Sequence, residues 1–345
     1  MLRFDTDYMA GAHKDVLQAL TATNFLDTPG YGEDEFTRNA KRLLLEVCGL
    51  SEGAVYFLVG GTQTNLVVID RLLSRNDGVV ATDTSHINVH ESGAIEATGH
   101  KIMLVPNHEG KMLAEDLKEC LRNYNEDETK LHMVRPGMVY ISFPTELGTV
   151  YTKRELQDLK EVCQENGIPL YIDGARMAYG IMAEGGDVTI HDIATIADVF
   201  YVGGTKCGAM FGEAVVTSNS SLLPRFISLM KLHGGLLAKG RLLGVQFSAL
   251  FTDELYWKIG KYAVEKAMEI KNGFKSRGFK LLIDSPTNQQ FVVLPNDVMD
   301  ALSRNVSFEI WGCRGEKESA VRFVTSWNTP EDAVSKLFEY LDTVI

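Results

Sequence analysis

The sequence predicts a mainly parallel α/β domain followed by a smaller α+β domain. Two observations predict the first part. Short apolar runs alternate with amphipathic helical stretches, the pattern of a parallel sheet covered on both faces. Several of these runs also end in loops rich in Gly, Asp, Thr and Lys. A third observation predicts the second part. After about residue 220 helix formers dominate, and strand-like runs return only near the C-terminus.

In chain order, residues 54–59 (AVYFLV) read as a buried strand that breaks at Gly60-Gly61 into a helix over 63–73. Residues 79–82 and 101–105 read as further strands, and 114–124 as the next helix. Residues 138–143 (MVYISF) are strand-like. Thr152 opens a helix with the capping box Thr152-x-x-Glu155. Its buried stripe is Leu156, Leu159, Val162 and Cys163, and Gly167 stands where a left-handed cap would close it. Residues 168–172 (IPLYI) then run into Asp173, and 198–202 (DVFYV) into Gly203-Gly204-Thr205-Lys206. Beyond them, 221–231 and 238–277 read as helical, and 290–294, 307–310 and 320–324 as strands. The last helix is expected to begin near Pro330, a residue suited to a first helical turn. The large domain is placed at 12–245 and the small one at 246–345, joined by the N-terminal segment 1–11.

Composition narrows the function. The chain has 345 residues, 45% hydrophobic and 23% charged, an ordinary globular balance. At roughly 150 residues per domain this length suits two domains. With 34 basic and 46 acidic residues the net charge is −12. Such a chain repels nucleic acid and anionic membrane surfaces, so neither is an expected partner. A phosphate-bearing ligand would need a local site built from amides or cations. The cysteines are Cys48, Cys120, Cys163, Cys207 and Cys313, an odd set without a CxxC pair. They suit a reducing cytosol rather than a disulfide framework or a zinc knuckle. The N-terminus has no apolar signal region, and no run reaches the ~18 apolar residues of a membrane span. A cytoplasmic protein is expected, without a metal.

In open α/β sheets ligands sit beyond the carboxyl ends of the strands. Three such ends here carry unusual polar sequences. Gly60-Gly61-Thr62-Gln63-Thr64-Asn65 stands at a strand-to-helix junction, where backbone amides and a helix N-terminus favour phosphate. It lacks the P-loop ending and the GxGxxG spacing. Asp173-Gly174-Ala175-Arg176 places a carboxylate at a strand end, with an arginine three residues on. Gly203-Gly204-Thr205-Lys206-Cys207-Gly208 frames a lysine with glycines. Taken singly, these are an ordinary turn, a capping Asp and a solvated lysine. Together they are what pyridoxal phosphate requires. Its phosphate needs amides, its ring nitrogen a carboxylate, and its aldehyde a lysine for a Schiff base.

These residues carry a resemblance. The sequence resembles the low-specificity L-threonine aldolases, relatives of the aromatic amino acid β-eliminating lyases. The matching stretches begin with Asp7, Ala10-Gly11-Ala12-His13, Tyr31-Gly32-Glu33-Asp34 and Gly60-Gly61-Thr62-x-x-Asn65. They continue through Ser85-His86-Ile87-x-x-x-Glu91, His132 and Thr145-Glu146-Leu147-Gly148-Thr149-Val150-Tyr151. The last are Asp173-Gly174-Ala175-Arg176, Gly203-Gly204-Thr205-Lys206 and Arg322. The resemblance spans nearly the whole chain.

The resemblance implies an aspartate aminotransferase-like fold, pyridoxal-phosphate fold type I, with a seven-stranded, mainly parallel sheet. It implies aldol cleavage of L-threonine and L-allo-threonine to glycine and an aldehyde, by a homodimer or homotetramer with shared active sites. Lys206 would form the Schiff base, and Asp173 would pair with the pyridine nitrogen. His86 would stack on the ring, and Gly61 and Thr62 would hold the phosphate. Arg176 and Arg322 would bind the substrate carboxylate, and Tyr31 would reach the neighbouring subunit's site. His86 and His132 would flank the substrate side chain, either one a possible base. Lys239 or Arg241 would add a cation for the phosphate. Thr6 stands where many members carry a serine that touches the carboxylate. Another enzyme of this fold type, a β-eliminating lyase or an aminotransferase, is the first alternative. A non-catalytic binding protein is the second, though a binder has no need of Lys206, Asp173 and Arg176 together.

Overall fold

The computed structural model describes residues 1–345. Its strands are β1 (Leu2–Arg3), β2 (Ala54–Leu58), β3 (Asp77–Thr82), β4 (Lys101–Val105), β5 (Arg135–Ser142), β6 (Leu170–Asp173), β7 (Val199–Gly203) and β8 (Glu213–Thr217), then β9 (Lys280–Ile283), β10 (Gln289–Pro295), β11 (Val306–Ser307), β12 (Glu309–Ile310) and β13 (Glu318–Val324). Seven of them form one sheet in the order β2-β8-β7-β6-β5-β3-β4. The pairs β7–β6, β6–β5, β5–β3 and β3–β4 are parallel, whereas β8 runs antiparallel to both β2 and β7.

Both faces of the inner strands are buried, which is why those strands are largely apolar. Val80, Val139, Ile141, Ile172, Phe200, Val202 and Val216 pack into the core on one face. Val79, Ala81, Met138, Tyr140, Tyr171, Val199, Tyr201 and Val215 pack on the other. Successive residues of a strand point to opposite faces, so each apolar run feeds two cores at once.

The helix Lys153–Glu165 begins at Thr152 with both capping-box bonds formed, and Gly167 follows at φ +64°. Two helices, Arg241–Leu250 and Leu255–Ser276, occupy the stretch expected to be helical over 238–277. The C-terminal helix starts at Ala333, three residues beyond Pro330. Asp332 is its cap residue.

The C-terminal part carries the antiparallel sheet β12-β13-β10-β9 over its own core, which includes Phe274, Phe323 and Leu337. The N-terminal segment ties the two parts together. β1 pairs with β11, and Phe4 sits fully buried in the smaller core. A few residues on, Asp7 reaches Arg176 in the larger one.

The site is built at one edge of the large sheet. The carboxyl ends of β5, β6 and β7 lie there, beside the turn that follows β2. Because β8 is antiparallel, its first residue, Glu213, also arrives at this edge.

Candidate active site

A cavity of about 320 Å³ opens at this edge. Its wall includes Gly60, Gly61 and Thr62 after β2, His86 after β3, and Ser142 and Glu146 around the end of β5. Asp173 and Arg176 come from β6, Lys206 from the loop after β7, and Tyr8 from the N-terminal segment.

Close backbone approach explains the glycines. A Cβ on Gly174 would collide with the Tyr201 carbonyl oxygen, and one on Gly203 with that of Ala175. Only glycine lets the ends of β6 and β7 meet, and this brings the Asp173 and Lys206 loops to one cavity.

Asp173 is buried, yet fully satisfied. Its Oδ2 accepts from the Tyr140 hydroxyl at 2.6 Å and from Asn65 Nδ2 at 3.0 Å. Its Oδ1 accepts from the Ala175 N–H at 2.9 Å. Burial alone would raise its pKa. The charge of His86, the Tyr140 and Tyr201 hydroxyls and the Ala175 amide outweigh that and hold the carboxyl below its ordinary value. It therefore stays ionised at neutral pH.

Lys206 is the opposite case. Burial, followed by the positive charge of Arg176, lowers its amine below the ordinary lysine range. A lowered pKa leaves more neutral, nucleophilic amine. The ring of Tyr8 lies 5.9 Å from Lys206 Nζ. Glu213 accepts from the Gly204 N–H at 2.9 Å, and burial pushes its carboxyl up to about 7.

His86 is half-buried, and its Nδ1 lies 2.8 Å from Glu91 Oε1. Asn65 Nδ2 donates to the same oxygen at 2.7 Å, so Asn65 links the His86–Glu91 pair to Asp173. The helix Gly61–Leu72 begins beside them at Gly60 with no side-chain cap. A Cβ added to Gly60 would meet nothing within 4 Å. Free first-turn amides next to open space make an anion site.

The donor set fits pyridoxal phosphate. A depressed amine, an ionised carboxylate, an uncapped helix start and an imidazole share one cavity. Lys206, Asp173, His86, Gly61, Thr62 and Arg176 are thus brought together as the sequence suggested.

Other expected residues lie elsewhere. His132 is in the exposed 3-10 turn Lys130–His132, at the amino end of β5, whereas the cavity lies at its carboxyl end. Thr6 lines a different cavity, with Met1, Arg3 and Thr329. Its neighbour Tyr8 lines the site instead, and Asp7 is buried against Arg176. Arg241 spends its guanidinium on the carbonyls of Thr23, Asn24 and Leu26 at the end of the helix Lys14–Thr23. Lys239 is an exposed loop residue outside this wall. Tyr31 is 50% exposed, with Lys231 Nζ 4.8 Å from its ring centroid, and lines another pocket.

The two arginines also carry structural bonds. Arg176 donates through Nε and Nη2 to the two oxygens of Asp7. Arg322 donates through Nη1 to Gln289 at 2.8 Å and through Nη2 to Glu309, while its Nε–H is buried without a partner. It borders Arg176 electrostatically, but it is not on the cavity wall.

Sequence reading gave no role to Asp7, Tyr8, Glu146 or Glu213. A signal did exist for the tyrosines. Tyr140, Tyr171 and Tyr201 interrupt three apolar runs; Tyr140 pairs in register with Tyr171, and the Tyr171 and Tyr201 ring centroids lie 6.4 Å apart. They form one buried row beneath Asp173.

Comparison with known proteins agrees with this geometry. The family model described as beta-eliminating lyase matches residues 3–296. A low specificity L-threonine aldolase from Pseudomonas sp. (strain NCIMB 10558) is 27% identical, covering 97% of this chain and 95% of its own. One from Saccharomyces cerevisiae is 26% identical over 78% of this chain and 68% of its own. Among solved structures, a threonine aldolase from Leishmania major is 38% identical and superposes with a TM-score of 0.96, with 99% of each chain covered. An aspartate aminotransferase mutant from Thermus thermophilus shares the fold at 15% identity, with a TM-score of 0.71 over 100% of this chain and 92% of its own. With 294 consecutive residues inside the family match and the same fold from end to end, the chain belongs to the beta-eliminating lyase family.

Proposed function

We propose that this protein is a pyridoxal-phosphate-dependent aldolase that cleaves L-threonine and L-allo-threonine to glycine and acetaldehyde. One observation carries the reading. The depressed amine of Lys206 and the ionised carboxylate of Asp173 share a cavity with an uncapped helix start. The fold is also that of a threonine aldolase 38% identical to this chain.

Lys206 would carry the cofactor, Asp173 would keep its ring nitrogen protonated, and His86 would lie on its face. Gly61 and Thr62 would hold its phosphate through amides. Bound there, the cofactor supplies an electron-withdrawing ring that accepts the pair left at Cα when the Cα–Cβ bond breaks. Arg176 would contribute Nη1 to the substrate carboxylate, because Asp7 holds its Nε–Nη2 edge. Arg322 would be the second carboxylate ligand, given its unsatisfied Nε–H. Its replacement by alanine should raise the threonine KM and leave the cofactor absorbance unchanged; an unchanged KM would remove it from the site.

The active unit would be a dimer or tetramer. The half-exposed Tyr31 and the exposed apolar Phe25, Leu26, Ile227 and Leu232 support an interface there. No helix is long and apolar enough to cross a membrane. All five cysteines are unpaired, which suits the cytoplasm as the compartment.

The test is direct. Purified protein with pyridoxal phosphate should release acetaldehyde and glycine from each diastereomer. Release of ammonia and a keto acid instead would make it a β-eliminating lyase.

A further inference from the structure

Cleaving a β-hydroxy amino acid requires a group that takes the proton of the β-hydroxyl. His132 lies at the wrong end of β5 for this. His86 has Nδ1 committed to Glu91, and a ring lying flat on a cofactor turns its nitrogens away from the substrate. Tyr8 is 54% exposed. Glu213 is held against the Gly204 amide, beneath the lysine loop. One acid on the wall is left.

Glu146 stands just past the carboxyl end of β5 and lines the cavity. Its Oε1 accepts two hydrogen bonds, from the His86 backbone N–H at 2.9 Å and from the Ser142 hydroxyl at 2.5 Å. These fix the carboxyl against the segment that carries His86. Both bonds fall on Oε1 and none on Oε2, which leaves the second oxygen of this cavity-lining carboxyl uncommitted.

We propose that Glu146 is the catalytic base of threonine cleavage, accepting the β-hydroxyl proton on Oε2. The inference rests on the aldolase reading above. In the step, the β O–H bond breaks and its proton passes to Glu146. The oxygen pair forms the C=O of acetaldehyde as the Cα–Cβ bond breaks, and the electrons of that bond stay with Cα. One proton is delivered to Cα to give glycine, which balances the one taken from oxygen. Burial raises the pKa of Glu146, against the bond from Ser142. A raised pKa makes a carboxylate a stronger base, the direction this role needs.

The experiment separates this role from a structural one. Exchange of the glycine α-proton with deuterated solvent uses the same lysine and cofactor but involves no β-hydroxyl. Glu146→Gln keeps an oxygen for His86 and Ser142 while removing the base. It should bind cofactor with an unchanged absorbance and still exchange glycine. Its threonine cleavage should fall by about 10²–10⁴, the usual cost of losing a general base. Glu146→Asp, a shorter acid, should recover part of that loss. Equal loss of exchange and cleavage in Glu146→Gln, or cleavage at the wild-type rate, would overturn the proposal. If the wild type exchanges glycine but does not cleave threonine, the aldolase reading itself fails, and the role of Glu146 fails with it.

Discussion

Asp7 grips Arg176 through both carboxylate oxygens, at 2.7 and 3.0 Å, in the heart of the site. Asn288 adds a third bond to Asp7 at 2.9 Å. One ion pair therefore joins the N-terminal segment, the end of β6 and the smaller sheet. It also halves the donor surface that Arg176 can offer a substrate.

Removing one partner of a buried ion pair costs about 3–5 kcal/mol, because the other charge is left unpaired. Asp7→Ala should destabilise the protein by that order in urea unfolding. The pH dependence follows from the direction of the shift. Burial would raise the Asp7 carboxyl, but Arg176, Lys206 and Asn288 hold it below its ordinary value of 3.8. A folded-state pKa below the unfolded one gives stability that is present above about pH 4 and lost as pH falls through the folded value. The stability gap between wild type and Asp7→Ala should therefore close in acid.

Asp173→Asn keeps the shape of the site but removes its charge. The variant should still hold cofactor through the phosphate turn. A charged hydrogen bond contributes about 1.5–3 kcal/mol, so kcat should fall by roughly 10- to 100-fold. A wild-type kcat would mean that the ring nitrogen is not paired with this carboxylate.

Tyr31 and Lys206 give a test of shared sites. A mixed oligomer of Tyr31→Phe and Lys206→Ala chains contains sites that receive both native residues if Tyr31 acts across an interface. Activity should then exceed that of either parent. A mixed sample no more active than its share of Tyr31→Phe chains accounts for would place Tyr31 outside a shared site.

Cysteine chemistry follows burial. Cys207 adjoins Lys206, but burial pushes its thiol up to about 12, and Cys48 and Cys163 are raised to the same level. Iodoacetamide should label the exposed Cys313 of the folded protein at neutral pH and spare these three. Labelling of Cys207 at a matching rate in peptide mass spectra would contradict the burial account.

Much of the large sheet was legible because a strand buried on both faces must be apolar throughout. The strand β8 was missed. Its short apolar stretch opens on Glu213, and its charge is tolerated only because the antiparallel direction puts it at the cavity. The edge strand β9 was missed because exposed and half-buried residues alternate along it. At the cavity, the places of Asp173 and Lys206 were legible because the first ends an apolar run and the second stands in the glycine loop that follows another. Glu146 was not, since a carboxylate in a loop looks solvated until His86 and Ser142 close on it. His132 misled because nearness to a strand in sequence does not say which of its ends faces the ligand. Arg241 misled because a guanidinium can serve helix-end carbonyls as well as a phosphate.

The amine of Lys206 is expected to carry the cofactor. Borohydride reduction of the holoenzyme, followed by peptide mass spectrometry, tests it most directly. The pyridoxyl mass should fall on the peptide containing Lys206, and Lys206→Ala should show no such adduct and no threonine cleavage. An adduct on another lysine, or a Lys206→Ala variant that keeps both adduct and turnover, would place the Schiff base elsewhere.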